Sequence, residues 1–390
     1  MYNTEKEIRD ELNSISKCLQ LVCGKEDEIL RTFSGARRMW FIGSGSSFCL
    51  AKSAAAMFTM RCDIPSLAVA AGDLLLHTER YLNAVKGSVV VFVSRSGMTS
   101  EVLRVYDLVA KLEGVSTVSL CANAASTLND ACDLSLCVPW AFDESVCQTR
   151  TIGSFFAALA MICALVSRDT RLQEQLKAVS RMGGALDERV LPLARQLAEK
   201  DWDHVVVLAD AEAAGVMEEG ALAFKEICCL NSNFYNLLDV RHGPVVMIDE
   251  RTFVFAFLES AGQTEQALLE DLRKRTGYVV SLGPFAAAEG VNPGHTKIGR
   301  VASGDQFVAS REVKERIISV TSALCTEMEG AAIAQTAYRN RIPFVILRAI
   351  SDKADNSAEM DYPTFESIAA HRCAAVTQCL AKHLAEQEEA

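Results

Sequence analysis

Two short apolar runs in the first hundred residues are each followed by a loop rich in Ser and Gly and then by a helical pattern. Residues 38–42 (RMWFI) lead into GSGSS, and residues 88–93 (SVVVFV) lead into SRSGMTS and the helix EVLRVYDLVAKL. Strand-like runs follow near 116–120 and 134–138, and a long apolar helix is expected from Thr151. Strands that alternate with helices predict a parallel sheet covered on both faces, which is an α/β domain.

The same order of elements returns after a polar helical stretch. HVVVLAD at 204–210, TFVFAFL and YVVSLG are strand-like and are separated by helical patterns, and a small, Pro- and Gly-rich stretch then follows Gly283. We therefore expect a first α/β domain, a helical connector, a shorter second α/β domain and a different C-terminal segment. Their predicted bounds are 1–167, 168–200, 201–284 and 285–390.

Composition excludes several classes of protein. The net charge of -11 argues against a nucleic-acid partner, because phosphate backbones require clustered Lys and Arg. The 14 Cys are scattered without zinc-type spacing, and no GxGxxG follows the first strand, so we expect neither a metal nor a nicotinamide cofactor. The longest apolar run, SFFAALAMICALV, is too short to span a bilayer. We expect a cytoplasmic protein without a membrane partner.

The two Ser-rich loops are candidate anion-binding sites. In a parallel sheet such loops open at helix N-termini, where unpaired N–H groups and the helix dipole favour a phosphate group. Helix capping alone would also explain Ser and Thr at these places. Because the pattern occurs twice at equivalent positions, we favour a phosphate site. The candidate phosphate ligands are the hydroxyl groups of Ser46, Ser47, Ser94, Ser96 and Thr99.

Five motifs then carry a resemblance. FIGSGSS, SRSGMTSE, SVCQTRT, EEGALAFKE and DVRHGP, in this order over residues 1–284, resemble the sugar isomerase (SIS) family of phosphosugar-binding domains. The arrangement is similar to the paired domains of glucosamine-6-phosphate synthase and its ketose/aldose-isomerase and fructosamine-phosphate deglycase relatives. The resemblance implies two flavodoxin-like parallel-sheet domains, of which the second is incomplete here, and a sugar phosphate as ligand.

The resemblance also implies catalytic roles. Glu226 would move a proton between C1 and C2 of the sugar, and His242 would assist ring opening, commonly in the site of a partner subunit; a loop histidine without such a role is the alternative. A homodimer is therefore expected. Ala223 stands where the synthase pattern has a Lys, although Lys225 is kept. An isomerase, a deglycase and a non-catalytic sugar-phosphate sensor all remain open.

The C-terminal segment has residue types suited to nucleoside chemistry. Phe307 could stack on a base, Glu329 could bind ribose hydroxyls, and Asp352 could protonate a leaving purine. A helix cap at Glu329 and a strand end at Asp352 are the alternative explanations.

SGDQF, TEMEGAAIA and RAISDKAD, with the downstream YPTFESIAA, resemble the C-terminal portion of 5'-methylthioadenosine/S-adenosylhomocysteine nucleosidase over residues 296–386. This resemblance implies a partial phosphorylase-like α/β segment. Phe307 and Val308 would bind adenine, Met328 and Glu329 would bind ribose, and Asp352 would be the general acid. That family's first half, with its water-positioning carboxylate, has no counterpart in the sequence. An adenine nucleoside is the second possible ligand, and hydrolysis would require elements from another chain.

Overall fold

A computed structural model shows two compact units, the N-terminal unit (1–258 and 262–281) and the C-terminal unit (259–261 and 282–390). The structure describes residues 2–182, 185–260, 262–283, 299–305, 308, 310–348, 373–374, 376–377 and 380–381.

The first sheet of the N-terminal unit has five parallel strands in the order β2-β1-β3-β4-β5. The strands are β1 (Met39–Gly43), β2 (Ser66–Ala70), β3 (Val89–Ser94), β4 (Ser116–Cys121) and β5 (Leu134–Cys137). The predicted α/β class with a parallel sheet is confirmed, and this strand order is that of flavodoxin-like folds.

Nine helices, counted in residues 2–167, accompany this sheet. They are α1 (Asn3–Arg9), α2 (Glu11–Gly24), α3 (Glu26–Phe33), α4 (Ser46–Cys62), α5 (Ala71–Leu76), α6 (Thr78–Val85), α7 (Ser100–Val109), α8 (Thr127–Ala131) and α9 (Arg150–Val166), with a 3₁₀ turn at Pro139–Ala141.

Both faces of the first sheet are buried. Along β1, Phe41 packs into one apolar core with Phe58 and Phe155, while Ile42 packs into the opposite core with Phe92. Successive side chains of a strand point to opposite faces, so a strand covered on both sides is apolar at every position. This is why the residues of the run MWFI are all apolar instead of alternating between apolar and polar.

A second parallel sheet follows two connecting helices, and its strand order is β7-β6-β8-β9. The connecting helices are α10 (Thr170–Val179) and α11 (Ala185–Ala198). The strands are β6 (His204–Leu208), β7 (Asn231–Tyr235), β8 (Thr252–Phe257) and β9 (Tyr278–Leu282). The helices of this part are α12 (Ala214–Cys228), α13 (Gln263–Arg273) and 3₁₀ turns at Ala211–Ala213, Asp239–Arg241 and Pro244–Met247. The order repeats the first four positions of the first sheet.

Helix α12 packs closely on α4, which joins the two sheets within the N-terminal unit. A Cβ atom placed on Gly215 would lie 2.1 Å from the backbone oxygen of Cys49, so only glycine fits this crossing without displacement. The Ser53 hydroxyl oxygen accepts the N–H of Val216 at 2.9 Å. This contact brings the carboxylates of α12 to the N-terminal end of α4.

The C-terminal unit contains a parallel pair of short strands in its described part. The elements are β10 (Val301–Ser303), α14 (Arg311–Thr321), β11 (Cys325–Glu327) and α15 (Gly330–Arg339). Residues 343–348, for which the sequence predicts a strand, pair with no strand in the described part of this unit. None of the described helices is long and apolar enough to cross a lipid bilayer.

Candidate functional site

A small polar cavity of about 110 Å³ lies at the carboxyl ends of β1 and β3 in the N-terminal unit. Four of the five hydroxyl groups predicted as phosphate ligands line it, together with side chains that the sequence analysis did not single out. The lining residues are Ser44, Ser47, Val93, Ser94, Arg95, Ser96, Thr99, Val102 and Gln148. The structure thus brings the two Ser-rich loops together.

The loop after β3 leaves its hydroxyl hydrogens available. Ser94 Oγ accepts the N–H of Gly97 at 3.0 Å, and Ser96 Oγ accepts the N–H of Met98 at 3.2 Å. A hydroxyl group that accepts from its own loop still has one hydrogen to donate. Gly97 has φ +59°, and an added Cβ would lie 1.9 Å from Ser126 Oγ, so this turn requires glycine.

Three helix N-termini converge on the cavity. Ser47 lies in the first turn of α4, Thr99 precedes α7, and Gln148 precedes α9 by two residues. A helix N-terminus carries a partial positive charge and N–H groups without an intrahelical partner. At α9, Asp143 Oδ2 accepts the N–H groups of Thr149 and Thr151, so α4 and α7 are the helices whose first N–H groups can serve a ligand. The buried Gln148 Oε1 and Thr149 Oγ1 have no hydrogen-bond partner among the described residues. The cavity thus combines hydroxyl groups, Arg95 and helix N-termini with an amide oxygen that still lacks a donor in the described part of the chain.

Arg95 is the cationic residue in the cavity lining. Its Nη1 atom donates to the carbonyl oxygens of Ser145 at 2.9 Å and of Val146 at 3.3 Å, and its guanidinium group lies over the Phe142 ring at 5.6 Å. Arg95 therefore places positive charge beside the Ser hydroxyls and also holds the segment that precedes Gln148.

Ser46 has a different environment from the other four predicted ligands. It is buried, and its hydroxyl group lies near the carboxyl group of Glu219 on α12. Burial raises the pKa of Glu219 to about 7; the nearby Ser46 hydroxyl group opposes this effect, and the charges of Glu226 and Glu11 add to it. A carboxyl group that titrates near neutral pH thus lies beside the first turn of α4.

Glu226 is exposed on α12, and its carboxylate lies near the Cys147 thiol. Burial raises the pKa of the Cys147 thiol, and the nearby Glu226 carboxylate raises it further. Gln148, which follows Cys147, lines the cavity. Glu226, the candidate proton-transfer residue, therefore lies near the segment that lines the cavity.

His242 lies in the loop between two 3₁₀ turns. Its backbone N–H donates to the carbonyl oxygen of Asp239 at 2.9 Å, and its side chain is exposed. No side-chain hydrogen bond of His242 occurs among the described residues. The structure does not bring this side chain to the cavity within one chain.

The C-terminal candidate residues are described only in part. Phe307 and Asp352 lie outside the described residues, and Val308 is half-buried. Met328 is exposed, and the Glu329 carboxylate accepts a hydrogen bond from Arg348 Nη2 at 2.6 Å. The adenine-binding and general-acid assignments therefore remain predictions.

Five polar residues at the site were not predicted from the sequence: Ser44, Arg95, Cys147, Gln148 and Glu219. Glu219 is seven residues before Glu226, hence on the same face of α12, and this spacing was a usable signal. Gln148 and Cys147 belong to the SVCQTRT motif, but nothing local indicates where their side chains point. Arg95 lies between Ser94 and Ser96 but was not predicted as a site residue. No group of three or more potential metal ligands occurs among the described residues.

Residues 32–168 match the SIS domain family. The chain contains an SIS domain. Residues 232–382 match the phosphorylase superfamily. This second match begins upstream of the predicted junction at 285 and includes β8 and β9, which in the structure complete a sheet begun by β6.

Solved structures with the SIS fold are similar to this chain. The C-terminal domain of glucosamine-fructose-6-phosphate aminotransferase from Francisella tularensis has a TM-score of 0.63 and 19% identity, covering 75% of this chain and 86% of that one. The tagatose-6-phosphate ketose/aldose isomerase of Escherichia coli has a TM-score of 0.65 and 20% identity, covering 72% and 80%. At these identities the similarity establishes the fold.

The curated relatives are nucleosidases. The 5'-methylthioadenosine/S-adenosylhomocysteine nucleosidase of Staphylococcus aureus strain JH9 is 39% identical over 89 residues, which are 23% of this chain and 39% of the relative. The chain therefore spans about two fifths of the length of these nucleosidases. An SIS domain and a partial nucleosidase-like segment thus occur in one polypeptide, as the two resemblances predicted.

Proposed function

We propose that the N-terminal unit binds a phosphorylated sugar and that Glu226 transfers a proton between C1 and C2 of its open-chain form. This activity is that of a ketose/aldose phosphate isomerase. The observation that carries the proposal is the convergence of Ser, Thr and Arg95 donors at three helix N-termini, with Glu226 against the segment that lines the same cavity.

The cavity dimensions suit a phosphate group rather than a whole ligand. Its volume of about 110 Å³ is larger than the roughly 30 Å³ that one water occupies, and smaller than the roughly 300 Å³ at which typical ligand pockets begin. The phosphate would accept hydrogen bonds from Ser47, Ser94 and Ser96, and the sugar carbons would extend out of the cavity toward α12.

The proton transfer requires one carboxylate. Glu226 would take the proton from C2 of an aldose, or from C1 of a ketose, and return it to the neighbouring carbon of the enediol intermediate. A fructosamine phosphate could undergo the same first step before water releases its amine. Ala223 in place of a lysine is compatible with such a deglycase, which is the alternative within this proposal.

A homodimer is part of the proposal. His242 is exposed, and nearby Val246 and Met247 are 76% and 58% exposed. An apolar surface beside a candidate catalytic side chain fits an interface across which His242 reaches a partner's cavity. Mixing the inactive variants His242→Ala and Glu226→Gln would then restore activity, because one site of a mixed dimer has both residues.

The decisive test is solvent deuterium incorporation. Ketose and aldose phosphates are incubated with the protein in D2O, and label at C1 or C2 is followed by NMR. We expect incorporation with the wild type and none with Glu226→Gln, which should still bind inorganic phosphate. Phosphate binding without any exchange by the wild type would favour a sugar-phosphate sensor. Unchanged exchange by Glu226→Gln would remove this residue from the mechanism.

A second candidate function is adenine nucleoside binding by the C-terminal unit. The 39% identity to nucleosidases favours it. Glu329 would bind the ribose hydroxyls, which requires that its ion pair with Arg348 open or be shared. Asp352 would protonate the purine. Release of adenine from methylthioadenosine, followed chromatographically and lost in Asp352→Asn, would support nucleosidase activity; an increase in the unfolding temperature with adenine alone would support binding without turnover.

A further inference from the structure

Residues 143–149, here called the 143–149 loop, connect the anion cavity to Glu226. The loop has no helix or strand structure. Gln148 lines the cavity, and the Cys147 thiol lies near the Glu226 carboxylate. The direction of both side chains therefore depends on how the backbone of this loop is held.

Side chains hold that backbone from two sides. Asp143 Oδ2 accepts the N–H groups of Thr149 at 2.9 Å and Thr151 at 3.0 Å, which fixes the C-terminal end of the loop. Arg95 binds two carbonyl oxygens in the middle of the loop. Neither residue binds the N–H groups at the start of the loop.

Helix α1 supplies the missing contact. Glu7 Oε1 accepts the N–H of Glu144 at 2.8 Å and of Ser145 at 3.1 Å, and the hydroxyl groups of Thr4 and Ser145 lie 3.0 Å apart. Glu7 is only 5% exposed, and its Oε2 has no hydrogen-bond partner among the described residues. Burying a half-satisfied carboxylate is costly, so stability alone explains this glutamate poorly.

One face of α1 and its C-cap residue Asp10 make all these contacts. Thr4, Glu7 and Asp10 recur every three residues, and Asp10 Oδ2 accepts a hydrogen bond from Arg150 Nη1 at 2.8 Å. Arg150 begins α9, the third helix whose N-terminus opens on the cavity. Helix α1 and Asp10 therefore hold the 143–149 loop and Arg150, which follows it, by hydrogen bonds.

We propose that Glu7 is a positioning residue for anion binding, which fixes the 143–149 loop so that Gln148 points into the cavity. The inference rests on the proposed function, since it assumes that this cavity binds a phosphate group. It adds to that proposal a residue far from the cavity in sequence and without contact to the ligand.

The test measures the binding of inorganic phosphate to the full chain by titration calorimetry. Loss of hydrogen bonds to a charged group predicts that Glu7→Ala weakens phosphate binding about tenfold. Glu7→Gln keeps an acceptor oxygen and should recover most of the affinity. Glu5→Gln is the matched control, because Glu5 lies on the same helix and forms an exposed ion pair with Arg9. If Glu7→Ala does not fold, the phosphate affinities of Glu7→Gln and Thr4→Ala are compared with that of the wild type instead.

A double-mutant cycle separates positioning from general stability. If Glu7 acts through Gln148, Glu7→Ala should cause little further loss of phosphate affinity in a Gln148→Ala background. Hydrogen exchange at the amides of Glu144 and Ser145 gives a second readout that needs no ligand, and Glu7→Ala should accelerate it.

The possible outcomes are distinguishable. Wild-type protein that binds no phosphate overturns the proposed function, and the role of Glu7 with it. Wild-type binding with unchanged affinity in Glu7→Ala overturns the inference alone. Fully additive losses in the double mutant also overturn it, because they show that Glu7 does not act through Gln148.

Discussion

The carboxyl group of Glu219 on α12 lies beside Ser46 in the first turn of α4, and burial there raises its pKa to about 7. This proximity links the helix of the second sheet to a loop of the first sheet beside the polar cavity. It exists because α12 crosses α4 closely at Gly215, and it leaves a carboxyl group buried where its charged form is poorly solvated.

Glu219 should make the stability of the N-terminal unit depend on pH. Its pKa is about 7 in the folded protein against 4.5 as an unperturbed value, so the folded state holds the proton more tightly. This contribution is fully present below pH 4.5 and is lost as pH rises through 7, with an upper limit of about 3 kcal/mol. Urea unfolding followed by Trp fluorescence measures it, since Trp40, Trp140 and Trp202 all lie in this unit.

Glu219→Gln is the comparison variant, because it keeps the shape of the side chain and cannot ionise. The unfolding free energy of the wild type should fall relative to that of the variant as the pH rises from 5 to 8. A difference that does not change over this range would show that Glu219 is not protonated in the folded protein.

Gly215→Ala should destabilise the packing of α12 on α4. The added Cβ would meet the backbone oxygen of Cys49 at 2.1 Å, and overpacking of this kind costs about 1–3 kcal/mol. Gly220→Ala is the matched control on the same helix, since nothing lies within 4 Å of its Cβ position. That control should be neutral or stabilising by about 0.5–1 kcal/mol. Equal effects in thermal unfolding would contradict the close crossing.

The contact between Cys147 and Glu226 can be measured by alkylation. Iodoacetamide reacts with the thiolate, and the Glu226 carboxylate raises the pKa of the Cys147 thiol. Glu226→Gln should therefore accelerate alkylation of Cys147 at pH 7, as quantified by peptide mass spectrometry. Glu270→Gln, an exposed position on α13, should leave the rate unchanged. The same rate in all three proteins would place Glu226 away from Cys147.

The strands of the N-terminal unit could be predicted because they are buried on both faces. The runs predicted at 38–42 and 88–93 are apolar after their first residue and are followed by Gly43 and Ser94, so β1 and β3 appear within one residue of the expected bounds. The strand order could not be predicted in the same way, because pairing depends on where each crossover helix places the next strand.

The site was predictable only where local sequence determines geometry. Ser47, Ser94, Ser96 and Thr99 follow parallel strands, and the carboxyl ends of such strands meet at one edge. Glu219 reaches Ser46 through helix packing between distant segments, and the contact depends on the absence of a side chain at Gly215. Arrangements of this kind are tertiary, so no local pattern reports them.

In the C-terminal unit, the carboxylate that caps α15 is Glu327 rather than Glu329. Glu327 Oε2 accepts the N–H groups of Glu329 at 2.9 Å and Gly330 at 2.6 Å. Burial raises the pKa of Glu327, but these hydrogen bonds, with those of Ser303 and Arg348, outweigh burial and hold the pKa at about 2. Glu329, which the sequence suggested as a possible cap, makes no side-chain capping bond.

Glu327→Ala should therefore loosen the start of α15, whereas Glu329→Ala should not. Loss of a capping acceptor costs about 1 kcal/mol, which hydrogen exchange at the first amides of α15 would report as faster exchange. Because the folded pKa of Glu327 is depressed, its stabilisation is present above pH 4.5 and is lost as pH falls toward 2. The amide exchange rates of the two variants should therefore become equal in acid. Faster exchange in Glu329→Ala alone would assign the cap to Glu329, and that carboxylate could not then be reserved for a ribose ligand.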